Sequence, residues 1–196
     1  MKKMPIPGKP ARNGLLNKNI IRAVLIILAI TGTCIAGYLF SSRPDPEEAS
    51  RAQNEGHDHL RARNFELSIR AYSRAIRNNP DDSSAHYNRG TAYLNYGKYD
   101  SAVSDFTEAL KLNPGTTAYY HNRGYAYFHA GNYEKAVLDY NDAISKNPAN
   151  SVAYYNRGRA YYHWGKRDEA LKDFKKAYSM GATSAKGLIE QLMKPE

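Results

Sequence analysis

The chain has 196 residues, 42% of them hydrophobic and 24% charged, enough for one ordinary domain and a further segment. Its single cysteine, Cys34, excludes an internal disulfide and a cysteine zinc cage. Residues 1–44 hold seven bases and no acid, so beyond them the net charge of +9 shrinks to 21 bases against 19 acids; the basicity belongs to a tail, and the main body lacks the electrostatic footprint of a nucleic-acid binder.

In chain order, residues 1–22 form a basic tail. Ala23 to Phe40 then runs for eighteen residues without a charge. As a helix it would be about 27 Å long, close to the thickness of a bilayer's hydrocarbon core. The expectation is a transmembrane helix over 23–40. Six bases precede it, while a single arginine and then Pro44-Asp45-Pro46-Glu47-Glu48 follow. By the positive-inside rule the N-terminus stays cytoplasmic and the remainder lies across the membrane, in the periplasm if the cell is bacterial. The alternative is a cleaved signal peptide, with Ala23 to Thr33 as its apolar region and cleavage after Ala36. The apolar run continuing through Tyr38, Leu39 and Phe40 speaks against it. Residues 41–48, with two prolines and no apolar side chain, read as a short linker.

From there a period of thirty-four residues governs the sequence: Gly56, Gly90, Gly124 and Gly158 are each one period apart. Twelve residues later stand Ser68, Ala102, Ala136 and Ala170; sixteen later, Tyr72, Phe106, Tyr140 and Phe174; nineteen later, Ala75, Ala109, Ala143 and Ala177. Pro80, Pro114 and Pro148 close the first three units, with Ala182 in the fourth. Each unit predicts two helices. The first, for example Ala85 to Tyr96, is expected to be capped by Ser83/Ser84, Thr116/Thr117 or Ser151, and to stop near Gly97, Gly131 or Gly165. The second, for example Asp100 to Leu112, carries apolar residues at helical spacing and ends before Asn-Pro. The units are 49–82, 83–116, 117–150 and 151–184, and Leu188, Ile189, Leu192 and Met193 mark an amphipathic capping helix in 185–196.

These residues resemble tetratricopeptide repeats, in the variant whose first helix carries Asn-Arg-Gly: Asn88-Arg89-Gly90, Asn122-Arg123-Gly124 and Asn156-Arg157-Gly158. The first unit departs from it with Asn54-Glu55-Gly56 and reads as a divergent cap. The resemblance implies an all-α solenoid of stacked helical hairpins. Tyr93, Tyr127, Tyr161, Tyr120 and Tyr154 fall at positions that pack between helices.

Arg89, Arg123 and Arg157 each have an aspartate sixteen residues later, Asp105, Asp139 and Asp173, whereas the first unit has Glu55 and Ala71 there. Their joint presence and absence predicts an Arg–Asp contact, within a repeat or between adjoining ones; the competing role for the arginines is ligand contact. The resemblance also places a partner-binding groove on the first helices. Its rows are Asn54, Asn88, Asn122 and Asn156; Tyr87, His121 and Tyr155; Thr91, Tyr125 and Arg159; Leu94, Phe128 and Tyr162; and Asn95, His129 and His163. Side-chain amides offer donor and acceptor to an extended backbone, and aromatics offer contact area at small entropic cost. The competing roles are capping or solvation for the asparagines and inter-repeat packing for the aromatics. With no acid among these positions, the expected partner is a neutral to acidic peptide. Gln53, Tyr87, Ala118 and Asn156 stand where the family's carboxylate clamp would need lysine or arginine, which disfavours that ligand class.

No nucleophile elbow, phosphate-binding glycine loop or carboxylate pair is present, and His57 and His59 lie on different faces of a helix. The reading is no enzyme, no metal, no cofactor, no nucleic acid and no small-molecule substrate: a membrane-anchored adaptor or scaffold for protein binding. The alternatives are an exported repeat protein after signal cleavage and a self-assembling structural module, a homo-oligomer.

Overall fold

The computed structural model describes residues 44–194. The expected transmembrane helix at 23–40 lies outside the described residues, and among those described no helix is long and apolar enough to cross a membrane. The described part is all helical: α1 (Pro46–Arg61), α2 (Phe65–Asn78), α3 (Ser83–Asn95), α4 (Tyr99–Leu112), α5 (Thr117–His129), α6 (Tyr133–Lys146), α7 (Ser151–His163), α8 (Arg167–Ser179) and α9 (Ala185–Met193). Each odd-numbered helix from α1 to α7 pairs with its successor, each pair packs on the next, and α9 covers α8.

The core repeats with the sequence. Ala75, Ala109, Ala143 and Ala177 are fully buried, as are Ala102, Ala136 and Ala170. Tyr72, Phe106, Tyr140 and Phe174 fill the space beside them. The glycine of each first helix makes room for that ring: a Cβ on Gly90 would stand 2.8 Å from Phe106 Cε1, and one on Gly158 2.9 Å from Phe174. Ser68, the odd member of the alanine row, is buried and donates its hydroxyl to the Gly56 carbonyl at 2.9 Å.

Local termination explains the element lengths. Gly97, Gly131 and Gly165 adopt φ near +80°, which closes the first helices with paired bonds such as Lys98 N–H to Tyr93 O and Gly97 N–H to Leu94 O. In the first hairpin Arg63 occupies this left-handed place, at φ 59°.

The caps correct the expectation from serine. Asp82 accepts from the N–H groups of Ser84 and Ala85, and Asn150 from those of Val152 and Ala153; Ser83 and Ser151 are already helical. Carboxylate and amide oxygens one residue upstream reach the free N–H groups. Thr116 holds the N-cap position of α5 but makes no side-chain capping bond. Helix α1 likewise begins at Pro46, inside the stretch read as linker, because Asp45 caps Glu47 and Glu48 while proline suits the first turn.

The first helices of neighbouring hairpins touch one another, while the second helices make no comparable contact. The stack therefore bends toward α1, α3, α5 and α7, which form its inner side. Both ends are polar: α1 exposes Ser50, Arg51, Asn54 and Asp58, and α9 exposes Lys186, Glu190 and Gln191. Ala185 and Leu192 are the buried residues of α9, with Leu188 and Ile189 half-buried and Met193 turned outward. Arg167 fastens the end of α9 by donating to the carbonyls of Leu192 and Lys194.

Candidate peptide-binding groove

Three identical ion pairs lie behind the groove. In each, the arginine Nε donates to one aspartate oxygen and a terminal nitrogen to the other: Arg89 to Asp105, Arg123 to Asp139 and Arg157 to Asp173, all at 2.7–2.8 Å. The remaining terminal nitrogen crosses to the second helix of the preceding hairpin, where Ser73, Thr107 or Asn141 accepts it. One guanidinium thus joins three helices. Tyrosine rings flank it, with Arg89 beside Tyr93, Arg123 beside Tyr120 and Arg157 beside Tyr154 and Tyr161. These tyrosines are half-buried and pack against the buried core residues between helices. Burial pushes the Asp139 carboxyl up while Arg123 pulls it down, with burial the larger cause, so the ladder spends its charge on geometry. In the first hairpin the charges are exchanged: Glu55 accepts two bonds from Arg74, which also reaches Glu48, and Ala71 is buried where the others have aspartate.

The asparagine row divides. Asn54 is exposed and Asn88 half-buried, and neither has a side-chain partner among the described residues. Asn122 Nδ2 donates to the Tyr87 hydroxyl at 2.8 Å. Asn156 is buried, with Nδ2 3.3 Å from His121 Nε2. Half of the row therefore ties one first helix to the one before it.

The aromatic row beside it is wall more than open surface. Tyr87 stacks on Tyr119 and leans on Phe106, His121 meets the edge of Tyr140, and Tyr155 packs on Phe174. Thr91 is satisfied by the Tyr87 carbonyl, and Asn95 by the Thr91 carbonyl. Leu94 is half-buried and Phe128 buried, whereas Tyr162 is exposed and accepts from Gln191. His129 stacks on Tyr99 and His163 on Tyr133, each against the second helix of the preceding hairpin. Phe128 touches both imidazoles, and among the described residues no group of three metal-ligating side chains forms. Burial holds His121 below its usual 6.5. Burial and then the nearby Arg159 do the same for His129.

The electrostatic character of this face follows from composition. Helices α3, α5 and α7 contain no aspartate or glutamate; the acids of these hairpins sit on second helices and in loops. Of the inner arginines, Arg89, Arg123 and Arg157 are locked in the ladder. Arg159 lies over the Phe128 ring, 4.6 Å from its centre, without a carboxylate partner among the described residues. At the inner rim, Thr117, His121, Asn122, Asn150 and Val152 line an open depression of about 380 Å³.

The bridging residues Ser73, Thr107 and Asn141 escaped the sequence reading, although they carried a signal: each lies sixteen residues before its arginine, as the aspartate lies sixteen after.

A curved stack of helical hairpins whose inner face is polar and aromatic, and free of acids along α3, α5 and α7, defines a helical-repeat scaffold. The chain belongs to the tetratricopeptide repeat family. Profiles described as tetratricopeptide repeat match residues 54–116, 89–151 and 151–180. Among solved structures, a crystal structure of MamA is similar at 27% identity with a TM-score of 0.66, covering 72% of this chain and 83% of that one. MamA from residue 41 to its end, from Desulfovibrio magneticus RS-1, is similar at 25% identity and a TM-score of 0.66, covering 69% and 76%. The first repeat domain of Spaghetti (RPAP3), bound to the HSP90 peptide SRMEEVD, is similar at 27% identity and a TM-score of 0.54, covering 56% and 89%. No curated protein matches the sequence.

Proposed function

We propose that this chain is a membrane-anchored adaptor that captures an extended, neutral to acidic peptide segment of a partner protein along its inner face. The observation that carries this reading is the absence of any acid from α3, α5 and α7 together with an Arg159 that has no carboxylate partner among the described residues. With a cation and no carboxylate on these helices, such a face favours a neutral or acidic segment over a basic one. Asn88, whose side-chain donor and acceptor have no partner among the described residues, supplies a contact to peptide backbone. The solved complex of a similar repeat domain with an HSP90 peptide supports peptide capture as a mode. That ligand class is itself disfavoured here, because Gln53, Tyr87, Ala118 and Asn156 replace the basic residues a carboxylate clamp needs. Anchoring by 23–40, with the repeats on the non-cytoplasmic side, rests on the uncharged run and the charge asymmetry around it.

Photo-crosslinking tests the groove. A photoreactive residue replacing Asn88 should trap a discrete partner, and one replacing the outward Leu138, 57% exposed, should not. Equal trapping at both would defeat the reading. Labelling a Ser104→Cys variant in intact cells with a membrane-impermeant maleimide tests the topology. The mass of the mature chain separates anchor from cleaved signal. Self-assembly has less support, since both ends of the stack expose polar side chains.

A further inference from the structure

Three nitrogen-bearing side chains gather on one ring of the inner face. The Arg159 guanidinium lies 4.6 Å from the centre of Phe128. The imidazoles of His129 and His163 stand nearly perpendicular to the same ring, their centroids 5.3 and 5.2 Å from it. Arg159 and His163 are four residues apart, one turn of α7, so they share a face of that helix. His129 comes to the ring from α5. Tyrosines of the preceding hairpins back the two imidazoles: Tyr99 stacks on His129 and Tyr133 on His163, with ring planes 24° and 26° apart. Both histidines nevertheless stay exposed, and their ring nitrogens have no hydrogen-bond partner among the described residues.

The charge in this cluster is of one sign. Arg159 has no carboxylate partner among the described residues, and α5 and α7 contain no acid. The other groups packed on the imidazoles are tyrosines, Tyr99 from α4, Tyr125 from α5, Tyr133 from α6 and Tyr162 from α7. Asp100 and Glu134, which follow Tyr99 and Tyr133 in sequence, form no ion pair with either histidine among the described residues. Burial and then the guanidinium hold His129 below its usual 6.5. A carboxylate set against Arg159 would offset that repulsion and favour a proton on an adjacent imidazole, which then becomes a second charged donor.

We propose that Arg159, His129 and His163 form an anion subsite of the groove, which takes the side-chain carboxylate of an aspartate or glutamate in an extended partner peptide and grips it harder as the imidazoles take up protons. This rests on the reading of the inner face as a peptide groove. The bound state gains a proton that the free state lacks, so affinity rises as pH falls, while the ligand's carboxylate stays ionised above about pH 4.

An array of short random peptides with blocked C termini, each paired with its Gln or Asn version, tests this on the full-length chain in detergent micelles at pH 8 and pH 5.5. The ratio of acidic to amide binding is taken at each pH, so any loss of folded chain cancels. The wild type should hold a subset whose acidic versions bind roughly tenfold tighter than their amides at pH 5.5, the scale of one charge-assisted hydrogen bond. The margin should be smaller at pH 8. His129→Asn with His163→Asn should make the margin the same at both pH values, and Arg159→Thr should abolish it at pH 8. These variants copy Asn95 and Thr91, which hold the same places in α3, so their melting curves should match the wild type. A wild-type margin that is absent or unchanged by pH overturns the subsite and leaves the groove standing, and needs no variant. So does a pH dependence that survives in the histidine variant. Retention of no peptide by the wild type overturns groove and subsite together.

Discussion

Asn122 Nδ2 donates to the Tyr87 hydroxyl at 2.8 Å, across the junction between α3 and α5. Asn122 thus holds its own scaffold, while Asn88, one repeat earlier, has no such tie among the described residues. The same residue at the same register is tied in one repeat and not in the other because its counterpart one repeat earlier differs: Tyr87 accepts from Asn122, whereas Gln53, at the same place before Asn88, donates to Asp82 at 2.6 Å.

Asn122→Ala should therefore cost about 1 kcal/mol of stability, leaving a half-buried phenol without its donor. Asn88→Ala should stay within about 0.5 kcal/mol, as for a surface change away from special features. Urea titrations followed by helical signal decide this. Equal losses in the two variants would show that the bond contributes nothing. Only Asn88→Ala reports ligand contact cleanly.

The ion-pair ladder makes a second prediction. Asp139 keeps only 5% of its side chain exposed, so Arg123→Met strands a buried carboxylate, at a cost of about 3–5 kcal/mol. Arg123→Met combined with Asp139→Leu should recover most of that loss. The first hairpin already works without the pair, with Ala71 buried at the aspartate position. A double variant as unstable as the single one would mean that the bridge to Thr107 matters more than the charge.

Repeat length, helix order, the Gly–aromatic–Ala core and the Arg–Asp partnership were all legible because each leaves a mark at a fixed interval. What stayed hidden has no period. The Tyr87–Asn122 and His121–Asn156 bonds join unlike residues across different repeats, and periodicity cannot say that an asparagine is already taken. The caps were misplaced by one residue because Ser83 and Ser151 are good cap residues standing beside better-placed Asp82 and Asn150.

Arg63 offers a third prediction. It adopts φ 59° where Gly97, Gly131 and Gly165 end the later first helices. A side chain there pays a steric penalty that glycine avoids, offset in part by glycine's greater freedom when unfolded. Arg63→Gly should raise stability by about 0.5–1 kcal/mol, read as a higher urea midpoint at unchanged slope. The exposed Arg61, the last residue of α1 and not at positive φ, serves as control: Arg61→Gly relieves no strain and should not raise the midpoint. A lower midpoint for Arg63→Gly would show that the arginine makes up the strain elsewhere.

Acid should loosen the stack through His121. Burial depresses its pKa below the usual 6.5, so the folded chain keeps it neutral at a pH where the unfolded chain has already taken a proton. Above 6.5 both states are neutral and the group contributes nothing. As pH falls below 6.5 the unfolded state gains a proton the folded state refuses, and stability declines until the folded pKa is reached. His129 acts in the same direction but more weakly, being more exposed. His121→Tyr removes the titration and copies Tyr87 and Tyr155 of the flanking repeats, and its hydroxyl would take the Asn156 amide as Tyr87 takes that of Asn122. It also removes a buried imidazole Nδ1 that has no partner. The melting temperature of the variant should therefore fall less between pH 7.5 and pH 5 than that of the wild type, with the two curves closest at the alkaline end. Parallel curves across that window would mean that some group other than His121 carries the acid sensitivity.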